Sequence, residues 1–436
     1  MLNVLMFYSI LFLGFIGSLT RNPVYAFALY EAVYFFNPEQ RWWGSMVPDF
    51  SYSFFVVLLM IFLLIVNFKR VKENSLLKIP QFRWMYVILT LYGIAYFYSA
   101  LPDEHYEALV YFLKLIVIVS IAYKLCDSAA KLNYVLYGYI FGAWYIGFVA
   151  YQLGRNSGDR VEGIGTVDSP DSNGIAAAIA PTLVMALYYF LTSKNWILKS
   201  LFVIAGVFIA NGLVLINSRG AFLAVGASIL FFMLHMYFSP FQRKYQKATA
   251  IFITVAGLAG AGSLMDDSFI ERMKSIENIE VNEEQESGAT RIEFWKAAFN
   301  MAKDHPFGAG NRGFDYYAPQ YIPENIDTGR GRNRSVHSTW FEALSEIGYF
   351  GLLALFIMLY TAFRSLNYCK KTLKNKNQAD EYFKMVAIQA ALLAFIVAMT
   401  FMNRLRADVL YWLILYSACA YNVYVLKVSV GVDAKR

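Results

Sequence analysis

The chain has 436 residues, 58% of them hydrophobic and 16% charged, whereas soluble domains hold nearer half apolar and a quarter charged residues. Apolar segments of about 18–20 residues recur along its whole length, each enough to span a bilayer, which excludes a soluble domain of this size and predicts an all-α polytopic integral membrane protein. The formal net charge of +7 does not imply nucleic acid, because loop lysines first orient a membrane protein, and three cysteines are too few for a disulfide framework or metal cluster.

Met1, Leu2 and Asn3 supply no basic n-region, so 2–19 reads as a first span and not as a cleaved signal. Spans are predicted at 2–20, 24–37, 52–68, 84–101, 107–124, 134–153, 173–192, 198–216, 220–238, 248–265, 339–363, 384–403 and 408–426. The second is short enough to be re-entrant, so the count is 12 or 13. The expected organisation is an N-terminal transmembrane bundle over 1–265, an external catalytic loop over 266–338 and C-terminal membrane helices over 339–436. Cys126 and Cys369 border spans and Cys419 lies inside one, which suits inert packing.

Basic residues orient the chain. Loop 69–83 holds Lys69, Arg70, Lys72, Lys78 and Arg83; loops 239–247 and 364–384 and the C-terminus carry further lysines. These fall on one face of the span order, predicted to be cytoplasmic. The opposite face gathers Asp103 and Glu104, loop 154–172, Arg219, loop 266–338, Arg404 and Arg406. Lysine dominates the first face and arginine the second. Arginine presents a planar fork that grips phosphate bidentately. The plainer explanation is pairing with acids of the same loops, such as 277–286.

The external candidates follow in order. Arg160 lies in a glycine-shaped loop that continues through Asp168, Pro170 and Asp171 onto a small-residue span. Those two carboxylates are a weak metal signal and a stronger capping signal. Arg219 sits between two spans, where a charge needs a partner or a polar cleft. Arg291 opens an amphipathic helix in which Ile292, Trp295, Phe299 and Ala302 recur at helical spacing. His305-Pro306-Phe307-Gly308-Ala309-Gly310 stops it. Arg312, Tyr316 and Tyr317 fall in the tail that follows, where 314–325 is rich in aromatic and amide side chains suited to sugar stacking and hydrogen bonding. Arg330, Arg332 and Arg334 form a basic run that could grip a polyanion or stay solvated.

His337 precedes a predicted span. Thr339 and Glu342 have the spacing of a capping box, which starts the helix just after the histidine. The positive end of a helix disfavours imidazolium, and histidine's ordinary pKa of about 6.5 suits a general base near neutrality. The alternative is a structural histidine capping a loop. Of the other histidines, His235 reads as packing, His105 as part of a short external loop and His305 as part of the helix-stopping turn. No HExxH, P-loop, dinucleotide fingerprint or GxSxG occurs.

Ser218-Arg219-Gly220, Arg291 with Trp295, His305-Pro306-Phe307-Gly308-Ala309-Gly310, His337 and Glu346-Ile347-Gly348-Tyr349-Phe350-Gly351 together resemble the O-antigen ligase and polymerase superfamily. That superfamily includes lipopolysaccharide O-antigen ligases, O-antigen polymerases and protein O-glycosylation ligases. The motifs cover about 155–363, and the rest matches by topology. Arg21-Asn22-Pro23 and Phe36-Asn37-Pro38 are also similar to ligase-like proteins encoded with exosortase and exopolysaccharide clusters. The family often has Asn after the histidine; here Ser338 stands there.

The resemblance implies a helical, GT-C-like inverting glycosyltransferase of the bacterial inner membrane, without metal, cofactor or nucleotide sugar. The donor would be a glycan on undecaprenyl diphosphate and the acceptor a glycan, lipid A-core or glycoprotein at the periplasmic face. Arg219 and Arg291 would hold the diphosphate and stabilise it as it leaves, and His337 would be the general base. Arg160, Arg312, Arg334, Arg404, Arg406, Tyr316 and Tyr317 would bind substrate. Two other classes stay open. A lipid-linked glycan transporter would need a polar path at the midplane, where Glu31 and Lys114 are the clear charges. A metal-dependent transferase would use Asp103 and Glu104.

Overall fold

The computed structural model describes residues 1–158, 160–264, 288–326 and 331–427; Arg330 and the acidic stretch 277–286 lie outside them. Every predicted span is a helix in the described residues, in the order Leu2–Thr20, Tyr25–Phe36, Tyr52–Val66, Pro80–Ala95, Pro102–Leu125, Ala129–Leu153, Ser172–Thr192, Trp196–Ile216, Arg219–Tyr237, Gln246–Leu264, Thr339–Asn375, Ala379–Met399 and Asp408–Tyr421. No strand occurs among the described residues beyond an isolated bridge between Ser157 and Arg160. Nine of these helices are long and apolar enough to cross a membrane, against the 12 or 13 expected. Tyr25–Phe36, Tyr52–Val66 and Pro80–Ala95 hold 12, 15 and 16 residues, short of the length a full span needs.

Local chemistry sets the helix ends. Pro80 and Pro102 occupy first positions, where a missing N–H costs nothing. Ser128, Asp171 and Asn195 cap helices by accepting from Lys131, Gly174 and Ile197 backbone N–H groups. Asn217 ends its helix in the left-handed region (φ 54°), and a new helix begins at Arg219.

The core lies around Tyr25–Phe36, Ala379–Met399 and Asp408–Tyr421, whose residues are almost all buried. Trp412 packs against Tyr34 (ring centroids 4.9 Å apart), Phe35 and Tyr139. Glu31 is wholly buried there and receives the Tyr416 hydroxyl at 2.5 Å. Lys114, expected as a second interior charge, is exposed on its helix. In a bilayer, helix association depends on close packing. Gly147 and Gly212 let Ala129–Leu153 and Trp196–Ile216 meet backbone to backbone, for an added Cβ at Gly212 would lie 3.0 Å from Gly147 Cα.

The loops sort into two groups by their contacts. Asp127 binds Arg70 (3.2 Å) and Lys131 (2.7 Å), its carbonyl receives Lys427, and Arg243 pairs with Asp380 (2.5 Å). The lysine-rich loops therefore share one end of the bundle. The arginine-bearing segments contact one another at the other.

Candidate active site at the arginine-rich end

The helix Gly288–Asp304, a second helix Gly313–Tyr321 and the strap 331–338 form a small cap with its own apolar cluster of Phe294, Ala297, Ala298, Met301, Phe314 and Ala318. The stripe predicted for the first helix holds in part: Ala302 is buried and Trp295 packs against the cluster, but Ile292 and Phe299 are about half exposed, and Phe294, Ala297, Ala298 and Met301 are buried besides. The cap packs inward through one narrow face and leaves the flanking apolar residues outside.

The two glycine motifs explain how the cap is fixed. The helix Thr339–Asn375 breaks at Ile347 and Gly348, where φ is 68° at the glycine. The break frees the carbonyls of Ser345 and Glu346, which accept the N–H groups of Ala309 (2.8 Å) and Gly310 (3.0 Å), while Tyr349 N–H reaches the Pro306 carbonyl at 3.1 Å. A side chain at Gly308 would strike the Glu346 carbonyl, and one at Gly348 the Pro306 carbonyl. His105, expected in an external loop, is instead buried in the first turn of Pro102–Leu125. It stacks on Tyr92 (4.4 Å), donates from Nε2 to the Tyr92 carbonyl (2.9 Å) and accepts the Asn311 N–H at Nδ1 (2.8 Å). Both nitrogens are thereby committed to anchoring the cap.

The turn 400–407 touches every part of the site. The Phe401 carbonyl receives Arg291 Nη1 at 3.4 Å, and a Cβ at Gly220, next to Arg219, would lie 3.6 Å from the Phe401 ring. Asn403 accepts the Ser338 N–H (3.0 Å) and donates to Ser335 Oγ (2.7 Å), clasping both ends of the turn that carries His337, itself in the left-handed region at φ 49°. Trp295 donates to the Val336 carbonyl at 3.1 Å and stacks on Phe341. Phe401 and Asn403 thus bring Arg219, Arg291 and His337 to one locality. The predicted capping box is not made. Thr339 Oγ1 donates to the Met402 carbonyl and accepts the Arg404 N–H, while Glu342 accepts the Leu405 N–H (3.0 Å). Both side chains are spent on the neighbouring turn, and Ser338 is the N-cap without a side-chain bond.

Arg160 donates to Asn173 Oδ1 and to the Asn217 carbonyl, both at 3.4 Å, which ties its loop to the turn before Arg219. Arg404, 8% exposed, binds the Asp168 carbonyl (2.7 Å) and Asp171 (3.2 Å). Arg406 pairs with Glu346, approaches Glu342 (3.6 Å), binds Tyr92 and Asn311 (2.7 Å each) and lies 5.1 Å over the Tyr92 ring. Burial opposes its charge, but Glu346, Tyr92 and Glu342 outweigh burial and hold the guanidinium above its ordinary value. Removing it would strand two buried carboxyl groups, at a cost of about 3–5 kcal/mol. Arg312 binds Asp315 (3.0 Å) and Glu104 (2.7 Å). Asp315 titrates high because it is buried, against the pull of Arg312; Glu346 raises it further and His337 lowers it, so the histidine lies within electrostatic reach.

Two cavities of about 270 and 410 Å³ open here. Glu342, Asn403 and Arg406 line both. Arg312 and Asp315 line the smaller, Asp168 and Arg404 the larger. Arg219, Arg291 and His337 stand outside these linings. Arg332 donates to the Ile322 carbonyl, and Arg334 is half-buried on the strap. Tyr317 stacks on His305 (4.5 Å), Tyr316 is 49% exposed, and neither lines these two cavities. Asp168 accepts Tyr34, Thr166 and the Asp408 N–H, and Asp171 caps its helix. Glu104 is engaged by Arg312. Among the described residues no group of three or more metal-ligating side chains comes together.

Asn403 and Glu346 escaped the sequence reading as site residues, and Glu342 was read only as part of a capping box. Glu346 lay inside a quoted motif, and Asn403 adjoined a suspected arginine, but neither carries a signal of its own.

Residues 201–356 match the family model described as O-antigen ligase. The matched stretch contains Arg219, Arg291 and His337, so the motif resemblance is supported, and with it ligase- or polymerase-like glycosyltransferase activity in general. No curated protein matches the chain.

Proposed function

We propose that the protein is a metal-independent, inverting glycosyltransferase that moves a glycan from undecaprenyl diphosphate to an acceptor hydroxyl at the periplasmic face of the bacterial inner membrane, with its C-terminus in the cytoplasm. The juncture at Phe401 and Asn403 carries this reading, because it gathers two arginines and a histidine from three distant segments. His337 takes the acceptor O–H proton. The oxygen attacks the anomeric carbon from the face opposite the diphosphate, and the bond to the diphosphate breaks with its electron pair leaving on phosphate. Arg219 and Arg291 bind that diphosphate and offset the charge it gains. No cofactor is needed, and activity survives EDTA. The lipid-linked donor is a substrate, and the acceptor is lipid A-core or a protein in a ligase and a second lipid-linked glycan in a polymerase. The external loop and flanking bundles act as the three parts of this machine.

The test is purified His337→Ala, assayed for donor binding and for transfer to each acceptor. Loss of a general base costs about 10²–10⁴-fold in rate with donor binding retained. Retained transfer overturns the assignment.

A further inference from the structure

We infer that the two neighbouring cavities bind the sugar of the acceptor, and that they select a neutral or amine-bearing glycan against an acidic one. The inference rests on the glycosyltransferase reading and adds a substrate class to it. The carboxyl groups of the two linings are Glu104, Glu107, Asp168, Asp315, Glu342 and Glu346, and their guanidinium groups are Arg312, Arg404 and Arg406. Carboxyl groups outnumber guanidinium groups six to three, an excess of acid that disfavours a diphosphate.

The arginines do not reverse this. Arg312 is held by Glu104 and Asp315, Arg404 by Asp171 and Arg406 by Glu346. What remains suits hydroxyl groups. Carboxylate oxygens accept several hydrogen bonds each. Arg404 lines the larger cavity and is more than nine-tenths buried. Sugar hydroxyls can donate to the carboxylates, and an anion would be favoured only at Arg404. The volumes, about 270 and 410 Å³, lie near the lower end of small-molecule sites of about 300–1,000 Å³. Asn403 lines both cavities while clasping the turn that carries His337, which ties the cavities to the proposed base.

Glu107 gives the handle. It is exposed at the larger cavity, and the three native cysteines are buried. Purified Glu107→Cys is labelled with a maleimide in the presence of an N-acetylglucosamine trimer, a glucosamine trimer, a galacturonic acid trimer or undecaprenyl diphosphate. The neutral and cationic trimers should slow labelling at least threefold, and the acidic trimer and the diphosphate lipid should not. Protection by the lipid or the acidic trimer, or by none of the four, overturns the inference. Binding of undecaprenyl diphosphate to the native protein, measured alongside, tests the glycosyltransferase reading separately.

Discussion

Asn403 reaches across the site and takes the backbone N–H of Ser338 at 3.0 Å, one residue after His337. Its amide also donates to Ser335 at 2.7 Å, so one side chain closes both ends of a four-residue turn. The related family often carries an asparagine directly after its histidine; in this chain an asparagine from a different segment contacts that position. Asn403→Ala leaves the Ser338 N–H without this acceptor, at about 1–3 kcal/mol if it stays buried. The expected outcome is a lower melting temperature and a transfer rate reduced at least tenfold, with donor binding unchanged. Asn403→Ser, which keeps an acceptor, should recover part of the rate. Equal rates for the native and Ala proteins would reduce Asn403 to a bystander.

Arg291 donates to the Phe401 carbonyl, and Gly220, the neighbour of Arg219 on a different helix, faces the Phe401 ring. If the two arginines grip a diphosphate through paired N–H groups, lysine cannot replace them although it keeps the charge. Each Arg→Lys change should cost most of the transfer rate in a protein that still inserts and folds. Near-native rates in both would assign them to packing.

Asp315 links stability to pH. Burial raises its pKa, and Arg312 only partly offsets this. A carboxyl whose folded pKa exceeds its unfolded one binds its proton more tightly when folded. Ionising it therefore costs the folded state, and stability is gained as pH falls from above the folded value towards the unfolded reference of 3.8. Asp315→Asn should flatten that part of the profile. The check is the native-minus-variant melting temperature between pH 7 and pH 4, which should rise on acidification; a constant difference refutes the coupling.

Orientation is testable at two exposed positions. Gln320 lies on the cap and Asn375 at the lysine-rich end. Single cysteines should label from outside intact cells at Gln320 and not at Asn375. The reverse pattern would invert the protein and move the proposed chemistry to the cytoplasm.

The helices were legible because span length and apolarity are properties of contiguous residues. The glycine motifs were legible as motifs, but their partnership was not: nothing in 305–310 announces that its N–H groups will meet carbonyls freed at Gly348. The ion pairs that hold Arg404 and Arg406 were hidden for the same reason. Sequence shows a guanidinium near a membrane boundary, while Asp171 and Glu346, which occupy it, lie far away in the chain. Glu342 shows the converse. Its spacing from Thr339 satisfied a local rule, and Leu405 and Arg406 offered a better partnership. His105 was misplaced because Pro102 starts a helix earlier than the apolar run suggests.

The interlock between Gly308 and Gly348 bears on how such proteins can be recombined. Each glycine is shaped to the backbone of the other segment, with no room for a side chain on either. A chimaera that imports a relative's cap while keeping the native membrane helix would join two halves cut to different templates. The transferable cassette for altering specificity therefore runs from the cap through the helix break, past Gly351, and a crossover placed at the apparent membrane boundary near Thr339 would sever it.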